Sequence, residues 1–92
     1  MRKIEQAMNG AIALGINWAS GNTMVTFDDT TGTSSVYLHG NHIADVDEEG
    51  RLIVDVDTLR KYPTATTKSR LRALGADVTT RKGITYLDGV AV

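Results

Sequence analysis

The residue types that could support chemistry begin with an acidic stretch, Asp45-x-Asp47-x-Glu49-Gly50. It places carboxylates at the first, third and fifth positions of a calcium-binding loop and a glycine at the sixth. Val56 stands at the twelfth position, where such a loop needs a bidentate glutamate. The pattern therefore favours a hairpin turn with solvated acids over a calcium site.

Two histidines, His39 and His42, are the other candidate metal ligands. On one strand, residues three apart point to opposite faces, and the chain has no cysteine to complete a zinc site. No serine lies in a nucleophile elbow, and no glycine-rich phosphate loop is present. We therefore expect a protein without enzymatic activity, metal or cofactor.

Basic side chains form the most informative group. Lys68 and Arg72 are four apart and share one face of a predicted helix, with Arg70 to one side. With the hydroxyl-rich start of that helix, such a surface could contact nucleic-acid phosphates or an acidic protein surface. The predicted contact residues are Arg60, Lys61, Lys68, Arg70, Arg72, Arg81 and Lys82.

An acidic surface is the second candidate. Residues 1–57 contain three basic and nine acidic residues, whereas residues 58–92 contain seven basic and two acidic residues. The acidic residues of the meander could therefore mimic a phosphate backbone, although the net charge is only -1: Asp28, Asp29, Asp45, Asp47, Glu48, Glu49, Asp55 and Asp57. Within this set the turn residues Asp45, Asp47, Glu48 and Glu49 form the second candidate contact surface. The two halves of the chain could equally attract one another within one domain.

The elements that must position these residues follow from the hydrophobic periodicity of the chain. Helical spacing predicts a helix at about 3–14 with Gly15 as its C-terminal cap, and Trp18 is expected to fold back into the core. A period of two predicts antiparallel strands between residues 22 and 57, the last of them reaching Val56. Hydroxyls after Pro63 predict a second helix that Gly75 ends, and residues 77–87 predict a hairpin.

The sequence thus predicts an α+β fold: an N-terminal helix, an antiparallel β-meander, a second helix and a C-terminal β-hairpin, in a single domain over 1–92. The absence of cysteine excludes disulfides and fits a reducing cytosol. No apolar run is long enough for a signal peptide or a transmembrane helix, so no membrane partner is expected. Exposed strand edges would allow a homodimer.

Four segments, at 22–25, 36–44, 66–74 and 82–89, together resemble a group of small uncharacterised proteins encoded by tailed bacteriophages. The opening Lys3–Met8 and Trp18 are similar as well, so the resemblance covers nearly the whole chain. It implies a phage origin and action in the cytoplasm of the bacterial host, but it supplies no functional residues.

Three functions are compatible with this sequence. The first is a phage accessory protein that binds and modulates or inhibits a host protein, in host takeover or counter-defence. The second is a small nucleic-acid-binding module that uses the basic helix and hairpin at residues 60–82. The third is a component of the virion or of its assembly.

Overall fold

The first helix, α1 (Lys3–Leu14), follows the predicted apolar stripe in the computed structural model, which describes all residues from Met1 to Val92. At its N-terminus the Glu5 carboxylate accepts a hydrogen bond from the backbone N–H of Arg2 at 3.3 Å. At its C-terminus Gly15 adopts a left-handed conformation with φ 64°, as expected for a glycine cap. The prediction for this helix is confirmed.

A five-stranded antiparallel sheet follows, and its strands lie in the order in which they occur along the chain. This confirms the predicted meander and adds an edge strand that begins at Trp18. The strands are β1 (Trp18–Ser20), β2 (Thr23–Asp28), β3 (Thr33–Leu38), β4 (Asn41–Val46) and β5 (Leu52–Val54).

The inner face of this sheet carries the core. Val25, Val36 and Ala44 lie side by side on β2, β3 and β4, and each is fully buried. Met8 of α1 packs on them. Trp18 is only partly buried and packs against the edge of this cluster, so it is less enclosed than the sequence predicts.

A short helix, α2 (Val56–Lys61), occupies a segment whose first residue the sequence assigns to a strand. That strand ends two residues earlier, at Val54, because Asp55 caps the helix. The Asp55 carboxylate accepts a hydrogen bond from the backbone N–H of Thr58 at 3.1 Å. Leu59 is the buried residue of α2 and joins the common core.

The predicted second helix is the third helix of the chain, α3 (Ala65–Ala73), and Thr64 caps it by accepting from the N–H of Thr67 at 3.1 Å. The predicted C-terminal hairpin is present as β6 (Val78–Arg81) and β7 (Ile84–Leu87), and β8 (Val90–Ala91) extends it to three strands. The α+β class is therefore confirmed. None of the three helices is long and apolar enough to cross a membrane.

Candidate functional site

The outer face of the five-stranded sheet has no helix over it. All three helices contribute a buried residue to the one core cluster on the inner face, as does β6. The alternate residues of the strands therefore point outward, and they include exposed apolar side chains. We define the outer face by Ala19, Met24, Thr26, Ser35, Tyr37, His42, Asp45 and Ile53.

A continuous row of side chains crosses this face. Ala19 lies opposite Met24, Met24 opposite Tyr37, and Tyr37 opposite His42. The Tyr37 and His42 rings meet edge to face, with centroids 5.5 Å apart. Met24 is 37% exposed, and Ile53 on the edge strand is 55% exposed. The row is therefore mainly apolar and has one polar end, at His42.

His42 forms that polar end, held between two carboxylates. Its Nδ1 lies 2.8 Å from Oδ2 of Asp55, and its Nε2 lies 2.8 Å from Oδ1 of Asp45. Burial alone would lower the pKa of His42, but the hydrogen bonds to Asp55 and Asp45 outweigh it and raise the pKa above the ordinary value. The hydrogen bond from His42, with that from the Thr58 N–H, lowers the pKa of Asp55. The two carboxylates thus stabilise the imidazolium form of His42 relative to the neutral ring. We call His42, Asp45 and Asp55 the triplet.

This triplet predicts a pH-dependent stability above neutrality. Because the folded-state pKa of His42 is raised, this residue contributes to the free energy of unfolding. The contribution is fully present below the unfolded pKa of about 6.5 and is lost as pH rises through the folded-state pKa. Urea unfolding from pH 6 to 9 is expected to show this fall in the wild type. His42→Gln is expected to flatten the slope, while His39→Gln keeps it. A slope that survives His42→Gln would assign the dependence to another group.

The two histidines lie in different surroundings. His39 lies in the turn between β3 and β4, with a positive φ of 51°, and His42 lies on the outer face. The sequence contains no signal for the contact of His42 with Asp45, because residues three apart on a regular strand point to opposite faces. A register shift in the pairing of β3 with β4, with Ile43 as the extra residue, brings both to the outer face. The sequence also could not place Asp55 against the same ring, because that contact depends on where β5 ends.

The predicted basic surface is the prediction that differs most from the structure. Arg70 and Lys68 are 3% and 9% exposed, so the expectation that they belong to an open contact surface is corrected. The Nζ of Lys68 donates to Oγ1 of Thr80 at 2.6 Å. The guanidinium of Arg70 pairs with the Glu5 carboxylate, with Nη1 2.9 Å from Oε2. Both cations are used to join parts of this chain.

Arg70 in fact makes three directed contacts. Besides the ion pair, its Nε donates to Oγ1 of Thr23 at 3.0 Å and its Nη2 to Oδ1 of Asn22 at 3.3 Å. Ser69 adds a hydrogen bond to Glu5 Oε2 at 2.6 Å. Burial raises the pKa of Glu5, but the hydrogen bonds from Ser69 and Arg70 overcome this and keep it below its usual value. We call Glu5, Asn22, Thr23, Ser69 and Arg70 the buried polar network.

The remaining basic residues are exposed but divided between elements. Arg60 lies 3.4 Å from Asp57, Lys61 lies over the Tyr62 ring at 5.5 Å, and both are at the end of α2. In the small sheet the Arg81 guanidinium lies over the Tyr86 ring at 4.8 Å. The Nε of Arg72 donates to the Val78 carbonyl at 2.7 Å. Lys82 stands in the turn between β6 and β7, with a φ of 53°.

The predicted acidic surface is also divided. Asp45 belongs to the His42 triplet, whereas Asp47, Glu48 and Glu49 lie in the turn between β4 and β5. Oδ1 of Asp47 accepts from the backbone N–H groups of Glu49 and Arg51 at 2.9 and 2.8 Å. The Cβ of Glu48 lies close to Gly32, 2.8 Å from where a Cβ at that glycine would stand. This part of the acidic surface is a tightly organised turn.

A cavity of about 320 Å³ lies between the β3–β4 turn and the connection from α2 to α3. Leu38 and Ile43 form its buried apolar floor. Threonines from α2 and α3 line it together with His39, Asn41 and Tyr62. The cavity could not be predicted from the sequence, because it depends on α2, which the sequence pattern does not indicate.

Fold and surface together define a small α+β protein with helices on one side of an antiparallel sheet and an uncovered outer face on the other. The chain belongs to a phage protein family, because the family model described as Kyanoviridae Gp96 protein matches residues 1–91. The resemblance to small phage proteins is thereby confirmed. No curated protein and no solved structure matches the chain.

Proposed function

We propose that this chain is a non-enzymatic phage accessory protein that binds a bacterial host protein, in the host cytoplasm, through the outer face of its large sheet. The uncovered row from Ala19 to His42 carries this proposal. A sheet face that packs on nothing in its own chain exposes apolar area to water, and burying that area against a partner is favourable.

The composition of the outer face supports a protein partner. Methionine and tyrosine are enriched in the cores of protein interfaces, and charged groups are depleted there. Met24 and Tyr37 lie opposite one another at the centre of the row, while His42 and Asp45 form a polar margin. The flexible thioether of Met24 can adapt to an irregular partner surface.

The basic side chains give less support to the nucleic-acid alternative. Binding to nucleic acid depends on lysine and arginine side chains that are free to neutralise phosphates. Lys68 and Arg70 are engaged with Thr80 and Glu5. The exposed cations of the predicted set are divided among α2, α3 and the β6–β7 hairpin. Nucleic-acid binding by this surface would require Lys68 and Arg70 to leave their partners, whereas a protein can bind the outer face without breaking contacts within the chain.

The proposal predicts that Met24→Lys abolishes capture of a host protein. A charge placed at the centre of the outer face must be desolvated on binding, which costs at least about tenfold in affinity. Wild-type and variant chains would be immobilised and exposed to bacterial lysate, and retained proteins compared by mass spectrometry. Ile84→Lys is the matched control, because Ile84 is 48% exposed on the small sheet and remote from the outer face.

The expected result is a host protein retained by the wild type and by Ile84→Lys but not by Met24→Lys. Retention by all three chains would show that the outer face is not the contact surface. Retention by none would contradict host-protein binding.

Light scattering of the purified chain tests the alternative that a second copy covers the outer face. A homodimer through this face doubles the measured mass, and Met24→Lys restores the mass of a single chain.

A further inference from the structure

The cavity beside α2 has the lining of a ligand site, and it lies apart from the outer face. Its volume of about 320 Å³ is at the lower end of the range for small-molecule sites, about 300–1,000 Å³. Leu38 and Ile43 form a dry floor, being 4% and 1% exposed. A floor of this kind favours a flat apolar surface on the ligand.

Polar groups around this floor are available to a ligand. The side chains of His39, Asn41 and Tyr62 make no hydrogen bond within the chain, although all three line the cavity. Thr64 and Thr67, by contrast, hydrogen-bond to one another through their hydroxyls at 3.0 Å. An amide and two aromatic rings thus remain free for recognition.

The lining contains no aspartate, glutamate, lysine or arginine. A ligand whose recognised part is charged would therefore lose its hydration without gaining an opposite charge. The ligand part that fits is flat and neutral, with hydrogen-bonding groups along its edge. Nucleobases have this chemistry: asparagine can pair with a base edge through its carbonyl and amino groups, and aromatic rings stack on a base face.

Backbone geometry brings these groups to the cavity. His39 has a positive φ of 51°, which is uncommon for a residue other than glycine, and its backbone N–H donates to the Asn22 carbonyl at 2.8 Å. The turn at 39–40 therefore holds His39 on one side, with Asn41 beginning β4 next to it. Tyr62 stands on the other side, at the C-terminal end of α2.

We propose that this cavity binds a nucleobase, with Asn41 pairing to the base edge and Tyr62 and His39 contacting its faces. The base can come from a free nucleotide or from a single-stranded nucleic acid. The Nζ of Lys61 lies 5.5 Å from the centroid of the Tyr62 ring, so a cation stands beside this wall of the cavity without lining it. Recognition then rests on the base, and the phosphate adds little.

Amide NMR titrations of the whole chain test this site. The probes are the four nucleoside monophosphates at up to about 1 mM, and ribose 5-phosphate as the matched compound without a base. At least one monophosphate is expected to give saturable shifts at Asn41, Ile43, Thr58 and Thr66, and ribose 5-phosphate none. Equal shifts with ribose 5-phosphate, or no saturable shift with any monophosphate, would overturn the proposal.

Two variants and one control locate the ligand. Asn41→Ala and Tyr62→Ala are each expected to weaken binding at least about fivefold, the lower bound for losing a bidentate contact or a stacked base. Tyr86→Ala is the matched control, because Tyr86 also lies beside a cation, the Arg81 guanidinium, but on the small sheet. Melting temperatures show whether each variant is folded. Folded Asn41→Ala with wild-type affinity would contradict the assigned role of the amide.

The source of the base is determined by comparing a monophosphate with a single-stranded tetranucleotide at about 50 and 200 mM salt. Equal affinities with little salt dependence identify a free nucleotide as the ligand. A tetranucleotide that binds more tightly and weakens steeply with salt identifies a single strand, with the exposed cations of α2 contacting its phosphates. Both results retain the nucleobase site.

Discussion

Replacing Arg70 by Met is expected to lower the free energy of unfolding by about 3–5 kcal/mol, the cost typical of removing one partner from a buried ion pair. Glu5 would keep its buried position, 3% exposed, but would lose the guanidinium at 2.9 Å. Thr23 and Asn22 would each lose a donor as well. Urea unfolding followed by circular dichroism measures the change.

Two control variants separate the charge effect from the loss of a side chain. Arg72→Met lies on the same helix at an exposed position and is expected to cost far less, although it loses the hydrogen bond to the Val78 carbonyl. Glu5→Leu combined with Arg70→Met removes both charges and is expected to be more stable than Arg70→Met alone. A double variant no more stable than Arg70→Met would show that the packing of Arg70, and not its charge, carries the effect.

The loss of stability at acidic pH should also be smaller in Arg70→Met. In the wild type the lowered pKa of Glu5 gives stability that is present above the unfolded value of about 4.3 and lost as pH falls through the folded-state pKa. Without Arg70, burial is opposed only by the hydrogen bonds from Ser69 and from the backbone of Arg2, so the pKa of Glu5 lies higher than in the wild type. The variant should therefore lose less stability than the wild type as pH falls below about 4.3.

Leu59→Ala is expected to cost about 2–5 kcal/mol, the range for truncating a fully buried leucine. Leu59 is 1% exposed and is the one buried residue of α2, so its loss removes the anchor of that helix. We expect amide hydrogen exchange over 56–61 to accelerate more than exchange in the central strands.

Arg60→Ala is the matched control for Leu59→Ala, since Arg60 is the next residue of the same helix and points to solvent. Its cost is expected to stay within about 0.5 kcal/mol, because the exposed pair with Asp57 contributes little. If the amides of α2 exchange no faster in Leu59→Ala than in Arg60→Ala, the helix is held by its Asp55 cap and by its connections to β5 and α3. Its buried side chain is then not the anchor. In that case the nucleobase cavity would keep its wall in the variant.

Long periodic elements could be predicted from the sequence, because each depends on neighbours within a few residues. The stripe of α1 and the alternation of β2 to β4 are of this kind. The helix α2 was missed because its six residues bury only Leu59, too few to establish a helical period. The signal that remained was Asp55, a preferred capping residue placed just before the helix.

The candidate site was harder to predict, because its residues are defined by contacts between distant segments. Nothing near Arg70 in the sequence shows that it is buried, since its partner Glu5 is 65 residues away. A helix with arginine and lysine at every second position resembles a solvated surface until the partner is known. The outer face also depends on contacts between distant segments, because it is uncovered only where all the helices pack on the other side of the sheet.

The buried polar network also constrains the order in which the chain can mature during synthesis. Glu5 leaves the ribosome 65 residues before its partner Arg70. Until Arg70 emerges, docking α1 on the sheet would bury an unpaired carboxylate, which opposes early folding of the N-terminal part. Nascent chains that stop before α3 should therefore be sensitive to protease, and the domain should fold only after α3 has been released.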